Sequence, residues 1–569
     1  MTSGVAPGGG APASVGEGHV RSAAPRRLNP IWIREMQQAA RFTMTPILLA
    51  VLTSAMALLL CAIGGIASVS TAPAEVGHVL YQVFFSLAYA VVTWIAPAIA
   101  ASTVASERGG RTWEALLLTG MTPTEVARGK FLAALTYIGA YVVMLAPVGA
   151  LPFLFGGVTA VEVVMAFVLL GVFAVLGVAF GLSVSARFTS SAAAVVVTLL
   201  VSSNLSIAGY LGLGVGISFG VHELWSGVTA GAPVWMPTAY VRGDFGLEYV
   251  AILVFAPLVF TLVPAWFLYE GTIASMASPS EDRSSGLRRW LMVCTPLVTL
   301  ACVAALPVAP SDEFAAAALA TTVLWTFLTF AVFVVAGEPL GPSRRVRVRW
   351  DREGATRLGR YLGPGLMNAS TMVLGLGFGA LLTVGVAGVV LELWRGGPSA
   401  EVDALRVALF TAYVASFFGF QVGFGAWCRS RAGGASLPRF LQAGALLVAF
   451  LGPWVLMAIA GLLTRGADGS YVVASPSPVY AAYMMELVAS TRPERESLLL
   501  AGVVAALGWL VLGVALLGAA GRRASKVVAE HAAAIARLEA ALEAEDAAAR
   551  EEVEVVPSAP GVRGPRELA

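Results

Sequence analysis

Apolar positions along the chain gather into long unbroken runs instead of alternating or recurring on one helical face. Runs of roughly twenty apolar residues, the length that crosses a bilayer as a helix, start near Pro46, Leu80, Phe131, Val163, Ala192 and Val250. Six more start near Trp290, Phe314, Leu366, Val407, Leu441 and Leu498. The pattern predicts an all-α polytopic membrane protein of about twelve transmembrane helices, since a helix satisfies its own backbone in lipid. The runs between Trp290 and Gly337 are the closest pair, joined by a few residues around Pro310 and Glu313. The Gly-, Ala- and Pro-rich stretch from Met1 to about Val20 reads as disordered. The first apolar run begins near Met44, too deep for an ordinary secretory signal, and reads as an uncleaved first span.

Composition strengthens this reading. Hydrophobic residues make up 58% of the 569 positions and charged residues 12%, where soluble globular proteins carry about 25% charged. The net charge of +2 provides no bulk field for nucleic acid. Cys61, Cys294, Cys302 and Cys428 stand apart, as do His19, His78, His222 and His531, so neither a disulfide framework nor a metal site is expected.

The placement of charge sets the expected topology. With the N-terminus inside and twelve alternating spans, 26 of the 36 Lys and Arg fall inside and six outside, the other four lying in the distal tail. That asymmetry is a strong positive-inside signal, and an odd span count would scramble it. Both six-span halves close in the same way: a long outer segment with Pro and Tyr, a last span, then arginines. The outer segment runs from about Val221 to Leu247 with Pro237 and Tyr240, and again from about Thr464 to Glu496 with Pro478 and Tyr480. Tandem halves are common in transporters. The expected organisation is a tail over 1–27, a first half over 28–285, a divergent second half over 286–520, a helical tail over 521–556 and a disordered end over 557–569. In the helical tail Val528, His531, Ile535, Leu538 and Leu542 form a narrow stripe, compatible with a solvated helix or a partner-binding one.

Two segments carry candidate mechanism. Asn29 caps a helix that starts at Pro30. Trp32, Met36, Ala39 and Ala40 share one face; Arg34, Gln37, Gln38 and Arg41 lie largely on the other. It reads either as an interfacial helix, with Trp32, Arg34 and Glu35 as its marked positions, or as the wet start of span 1. The second segment, Ser106 to Phe131, breaks at Gly109 and Gly110, forms a short helix from Thr112 to Leu118 and stops at Gly120. Thr122 and Glu125 have capping-box spacing around Pro123, so a new helix starts there and runs through Lys130 into span 3. A mere connector would not need such ordering.

These motifs resemble bacterial ABC transporter permeases of the type-2 exporter class. The likeness rests on the Asn29–Glu35 stretch, on Glu107 ending span 2, on the Arg111–Thr119 and Thr122–Lys130 stretches, on Ser183–Ser191, and on the outer segment before span 6. It is clearest over residues 28–275. The resemblance implies a six-span fold per half and a coupling helix that docks on a separate ATP-binding subunit. By position, Glu107, Arg111, Trp113, Glu114, Leu116, Leu117 and Lys130 are its contact candidates. It also implies ATP and Mg in that partner with no cofactor in this chain, a bacterial plasma (inner) membrane location with both termini cytoplasmic, and a second permease or second copy as a further partner. The loop between spans 8 and 9 departs from the pattern: from Gly337 to Gly354 it has no Trp-Glu-Ala-Leu-Leu counterpart. It suits anionic lipid headgroups or an altered ATPase contact.

No GxxxxGK[ST] loop is present, so any ATPase must be a separate chain. Ion-coupled carriers place ionisable residues inside their spans. Here Glu162, Glu270 and Glu392 sit at span ends, which disfavours that class. No acid-base constellation suggests an enzyme, whereas a scaffold or assembly role is hardly excluded. Ser202, Ser203 and Asn204 in span 5 and Asn368 in span 9 are candidate pathway positions, or else helix-helix hydrogen bonders.

Overall fold

The computed structural model describes residues 29–41, 44–69, 72–110, 113, 116, 118–232, 234–278, 280–308, 313–464 and 471–555. The two expected tails, 1–27 and 557–569, lie outside these residues. The described residues form helices and connecting turns with no strand, and twelve helices are long and apolar enough to cross a membrane. In the first half these are span 1 (Met44–Ala67), span 2 (Pro73–Gly109), span 3 (Pro123–Met144), span 4 (Ala160–Ser185), span 5 (Ser191–Leu224) and span 6 (Leu247–Met276). The second half contributes span 7 (Ser285–Ala305), span 8 (Glu313–Val335), span 9 (Leu366–Arg395), span 10 (Ala400–Arg431), span 11 (Ser436–Thr464) and span 12 (Arg495–Val555). The chain is thus an all-α multi-pass membrane protein, as its apolar runs predict. Most helices begin a few residues before the apolar run. Hydropathy marks the hydrocarbon core, whereas a helix starts at its cap, here Thr122, Thr159 and Ser190 for spans 3, 4 and 5.

Span 4 is the hub of the first half. It packs on spans 2, 3, 5 and 6 and on a short outer helix, Trp235–Arg242. Span 10 repeats the arrangement with spans 8, 9, 11 and 12 and the outer helix Tyr480–Ala489. Small residues allow these close crossings. Gly423 of span 10 lies against the backbone of Gly513 in span 12, and a side chain there would collide with the Gly513 carbonyl. The halves meet where span 6 packs on span 7, with the Trp290 indole donating to the Val263 carbonyl at 2.8 Å.

The outside of the bundle is apolar: Leu58, Leu462 and Leu463 stand 71%, 83% and 79% exposed. No aqueous surface accommodates so many exposed leucines, and acyl chains do. Arg108, Lys130, Arg288 and Arg429 share one end of the bundle, referred to below as the basic end; the outer helices close the opposite end. Both outer segments, expected as loops, fold back as helices anchored by a tyrosine. Tyr240 donates to the Leu253 carbonyl of span 6, and Tyr480 donates to the Leu498 carbonyl of span 12 at 3.0 Å.

Candidate functional site

The loop between spans 2 and 3 is built from its caps. Gly120 takes φ 77°, a left-handed turn that suits glycine, and ends the short helix that includes Trp113 and Leu116. Thr122 Oγ1 accepts from the Glu125 N–H at 3.3 Å, and the Glu125 carboxylate accepts from the Thr122 N–H at 2.9 Å. This is the reciprocal capping box that the spacing predicts. Trp113 and Leu116 pack against a small core of Ile31, Val104, Val126, Ala127, Leu182, Ala186 and Met276. The Arg108 guanidinium lies 5.4 Å from the Trp113 ring centre and donates to the Ser275 carbonyl at 3.3 Å. Arg111, Glu114 and Leu117 lie outside the described residues.

The helix Pro30–Arg41 docks on span 3. Asn29 Oδ1 accepts from the Ile31 N–H at 2.9 Å while its amide donates to the Glu125 carbonyl at 2.8 Å. One side chain therefore caps this helix and ties it to the capping box of span 3. Ile31, 3% exposed, is the buried anchor, and it can sit there because position 129 is glycine. A Cβ on Gly129 would lie 2.7 Å from the Ile31 Cβ. Trp32 reaches along span 3 and donates to Thr136 Oγ1 at 3.2 Å.

Between these elements lies a cluster of four charges from three segments. Lys130, in the second turn of span 3, is 1% exposed. Its ammonium donates to Glu35 Oε1 at 3.1 Å and to the Thr103 carbonyl at 3.1 Å, and lies 3.0 Å from Glu107 Oε1. An ammonium has three N–H donors, and three acceptors surround this one. Arg34 completes the ring, donating to Glu35 at 3.1 Å and to Glu107. Among the described residues two cations meet two carboxylates here. Burial alone would raise the Glu35 carboxyl, but Lys130 and Arg34 outweigh it and hold the carboxyl below its ordinary value. Burial likewise opposes the Arg34 charge, and Glu107 and Glu35 more than restore it. The cluster locks the amphipathic helix, the end of span 2 and the start of span 3 into one rigid unit around the loop. Glu107, Lys130, Arg34 and Glu35, each a candidate on sequence grounds, come together here; Trp113 and Leu116 lie at its edge.

The second half holds a buried ion pair in the corresponding place. Glu338, three residues past span 8, is 6% exposed and accepts from Arg288 at 3.1 Å and from the Ser284 hydroxyl at 2.7 Å. Arg288 also donates to the carbonyls of Tyr361 and Gly365 at 2.9 and 2.7 Å, and Arg429 donates to the Glu338 carbonyl at 2.7 Å. Each half therefore buries an acidic residue at the end of its second span against an arginine on an earlier element. This second pair was not legible from the sequence beyond the Gly337-Glu338-Pro339 break itself.

The pathway candidates do not converge. Ser203, half-buried, and Asn204, exposed, bond back to the Leu200 carbonyl of their own helix at 3.1 and 2.7 Å. Ser202 is buried and reaches the Leu199 carbonyl at 3.4 Å. The polar junction in this region is one turn on, where Ser206 meets Thr93 of span 2 at 2.7 Å. Asn368 lies apart, at the basic end of span 9, lining a cavity with Trp350 and Tyr361. Among the described residues no group of His, Cys, Asp and Glu could hold a metal ion.

No protein-family model matches the chain, and no curated protein matches its sequence.

Proposed function

We propose that this chain is the membrane-spanning permease subunit of an ATP-driven exporter, which receives its driving force from a separate ATP-hydrolysing subunit at the basic end. The observation that carries this reading is the ion-pair cluster of Arg34, Glu35, Glu107 and the buried Lys130 beneath the capped loop of Trp113 and Leu116. A force applied to that loop moves the amphipathic helix, span 2 and span 3 together, because breaking the cluster would strand buried charge. A free connector would absorb the push.

The distribution of charge within the spans supports an external energy source. Each Asp, Glu, Lys and Arg in the first eleven spans lies within seven residues of a helix end. A carrier driven by protons or sodium needs ionisable groups at depth. On this reading the basic end is cytoplasmic in a bacterial plasma membrane, both termini lie there, and ATP and Mg are held by the partner. The pairing of six spans with six around spans 4 and 10 supports one chain providing both halves of the permease.

The test is purification of the tagged chain from its native membranes, followed by assay for ATP hydrolysis. A stoichiometric ATPase that dissociates when Trp113→Ala is introduced supports the reading. A chain that purifies without any ATPase, and is unchanged by that substitution, overturns it.

A further inference from the structure

We propose that the cavity between the loop of spans 8 and 9 and the start of span 9 binds the phosphate-bearing headgroup of an anionic membrane lipid. The cavity measures about 370 Å³ and is lined by Trp350, Arg357, Arg360, Tyr361 and Asn368 with two prolines, Pro342 and Pro364.

Its walls are two capped helices. Ser343 starts Arg344–Arg352 and Thr356 starts Arg357–Leu362, each side chain accepting from the N–H three residues on. The floor is Trp350, whose indole lies against the backbone of Gly363 so closely that any side chain there would collide with it. The site is therefore held open by rigid elements. Between Arg344 and Arg360 stand seven arginines and two acidic residues. Four of the seven have carboxylates nearby: Arg344 with Glu539, Arg345 with Glu281, Arg349 with Glu353 and Arg360 with Asp351. Among the described residues no carboxylate lies within ion-pair distance of Arg357. The Arg360 pair is exposed on both sides, 52% and 71%, and an exposed pair contributes little, so a phosphate can replace Asp351. Arg357, Arg360 and Asn368, which line one cavity, then offer two guanidinium groups and an amide, donors that suit phosphate oxygens.

The source of that phosphate is fixed by position. Asn368 lies in the first turn of a membrane-spanning helix, and Tyr361 is within 3.2 Å of Thr371 in the next turn. Leu358, on the same short helix as the arginines, is 61% exposed. Apolar and aromatic side chains interleaved with arginines at the bilayer edge suit a lipid whose tails run down span 9 while its headgroup enters the cavity. A soluble anion would gain nothing from Leu358. The inference is independent of whether an ATPase couples to this chain.

The purified full chain in neutral detergent, titrated with dioleoyl phosphatidylglycerol or dioleoyl phosphatidylcholine and read by native mass spectrometry, tests this. The expected result is preferential retention of phosphatidylglycerol. Arg357→Gln and Arg360→Gln should each weaken it on the order of fivefold, leaving phosphatidylcholine unchanged. Arg349→Gln, which does not line the cavity, should leave both lipids unchanged and reports on general charge loss. Equal retention of the two lipids, wild-type binding by the Arg357→Gln/Arg360→Gln variant, or full displacement by millimolar inorganic phosphate would overturn the proposal. Unchanged thermal midpoints in the variants confirm that a lost lipid is not lost folding; where the double variant fails to fold, Arg357→Gln alone decides.

Discussion

Replacing Lys130 by Met removes the cation that three acceptors surround and takes from Glu35 and Glu107 the partner they share. The side chains of Glu35 and Glu107 are 21% and 11% exposed, and that of Arg34 is 44% exposed. The cluster would lose one positive charge at a position that is itself 1% exposed. Stranding one partner of a buried pair costs about 3–5 kcal/mol. The weakest restraint yields first, and that is the helix Pro30–Arg41, held by Ile31, Asn29 and these charges. Its opening equilibrium should therefore rise by about two to three and a half orders of magnitude, since about 1.4 kcal/mol is a factor of ten. Amide hydrogen exchange across residues 31–39 measures that opening directly. The variant Lys130→Met/Glu107→Gln removes one carboxylate together with the cation and should recover most of the loss, leaving about 1–2 kcal/mol of missing hydrogen bonds. Exchange within about threefold of wild type in Lys130→Met, or a double variant no better than the single, would refute the claim that charge balance holds this unit together.

Other outcomes follow from the same contacts. Gly129→Val places a side chain against Ile31 and Asn29 and should loosen the same helix by about 1–3 kcal/mol, seen as faster exchange at Ile31 with span 3 unaffected. The Glu35 carboxyl sits below its ordinary value of 4.5, so its contribution is present above that pH and fades as pH falls through the lowered value. Exchange across residues 31–39 should stay flat from pH 7 to pH 5 once corrected for intrinsic rates, then rise in acid, and Glu35→Gln should remove that rise. Arg288→Met strands Glu338 and should lower global stability by about 3–5 kcal/mol, whereas Arg288→Met/Glu338→Gln should cost much less in the same unfolding assay. Tyr480→Phe removes one hydrogen bond to span 12 and should cost about 1 kcal/mol, raising protease access to the helix Tyr480–Ala489.

The sequence made the spans legible because lipid imposes a crude requirement: about twenty apolar residues with charge at the ends. The capping box of Thr122 and Glu125 was legible for the opposite reason, being local to four residues. What joins Arg34, Glu35, Glu107 and Lys130 is neither crude nor local. Their separations of 73 and 95 residues carry no periodic signal, so each could be singled out alone but not as a cluster. Helical spacing grouped Trp32 with Met36, Ala39 and Ala40 on one face, whereas Ile31 is the residue that docking buries. Gly129 gave no sign either, since only the approaching helix makes its missing side chain matter. Ser203 and Asn204 each donate to the Leu200 carbonyl of their own helix, a pairing that a polar residue in an apolar run does not announce. The outer helices Trp235–Arg242 and Tyr480–Ala489 are short and punctuated by Pro, and propensity could not separate them from loops.

The measurement that bears most directly on the central claim is ATP-driven movement of the charge-locked loop. A spin or fluorophore label on Leu118→Cys, 87% exposed on the same loop, and another on Ser275→Cys, in the chain purified with the ATPase that the proposed function requires, reports the distance between the loop and the end of span 6. The account predicts a distance change on adding ATP and Mg that disappears in Lys130→Met, where the loop no longer pulls on its spans. An unchanged distance in the wild type with ATP turning over, or an equal change in the variant, would contradict it.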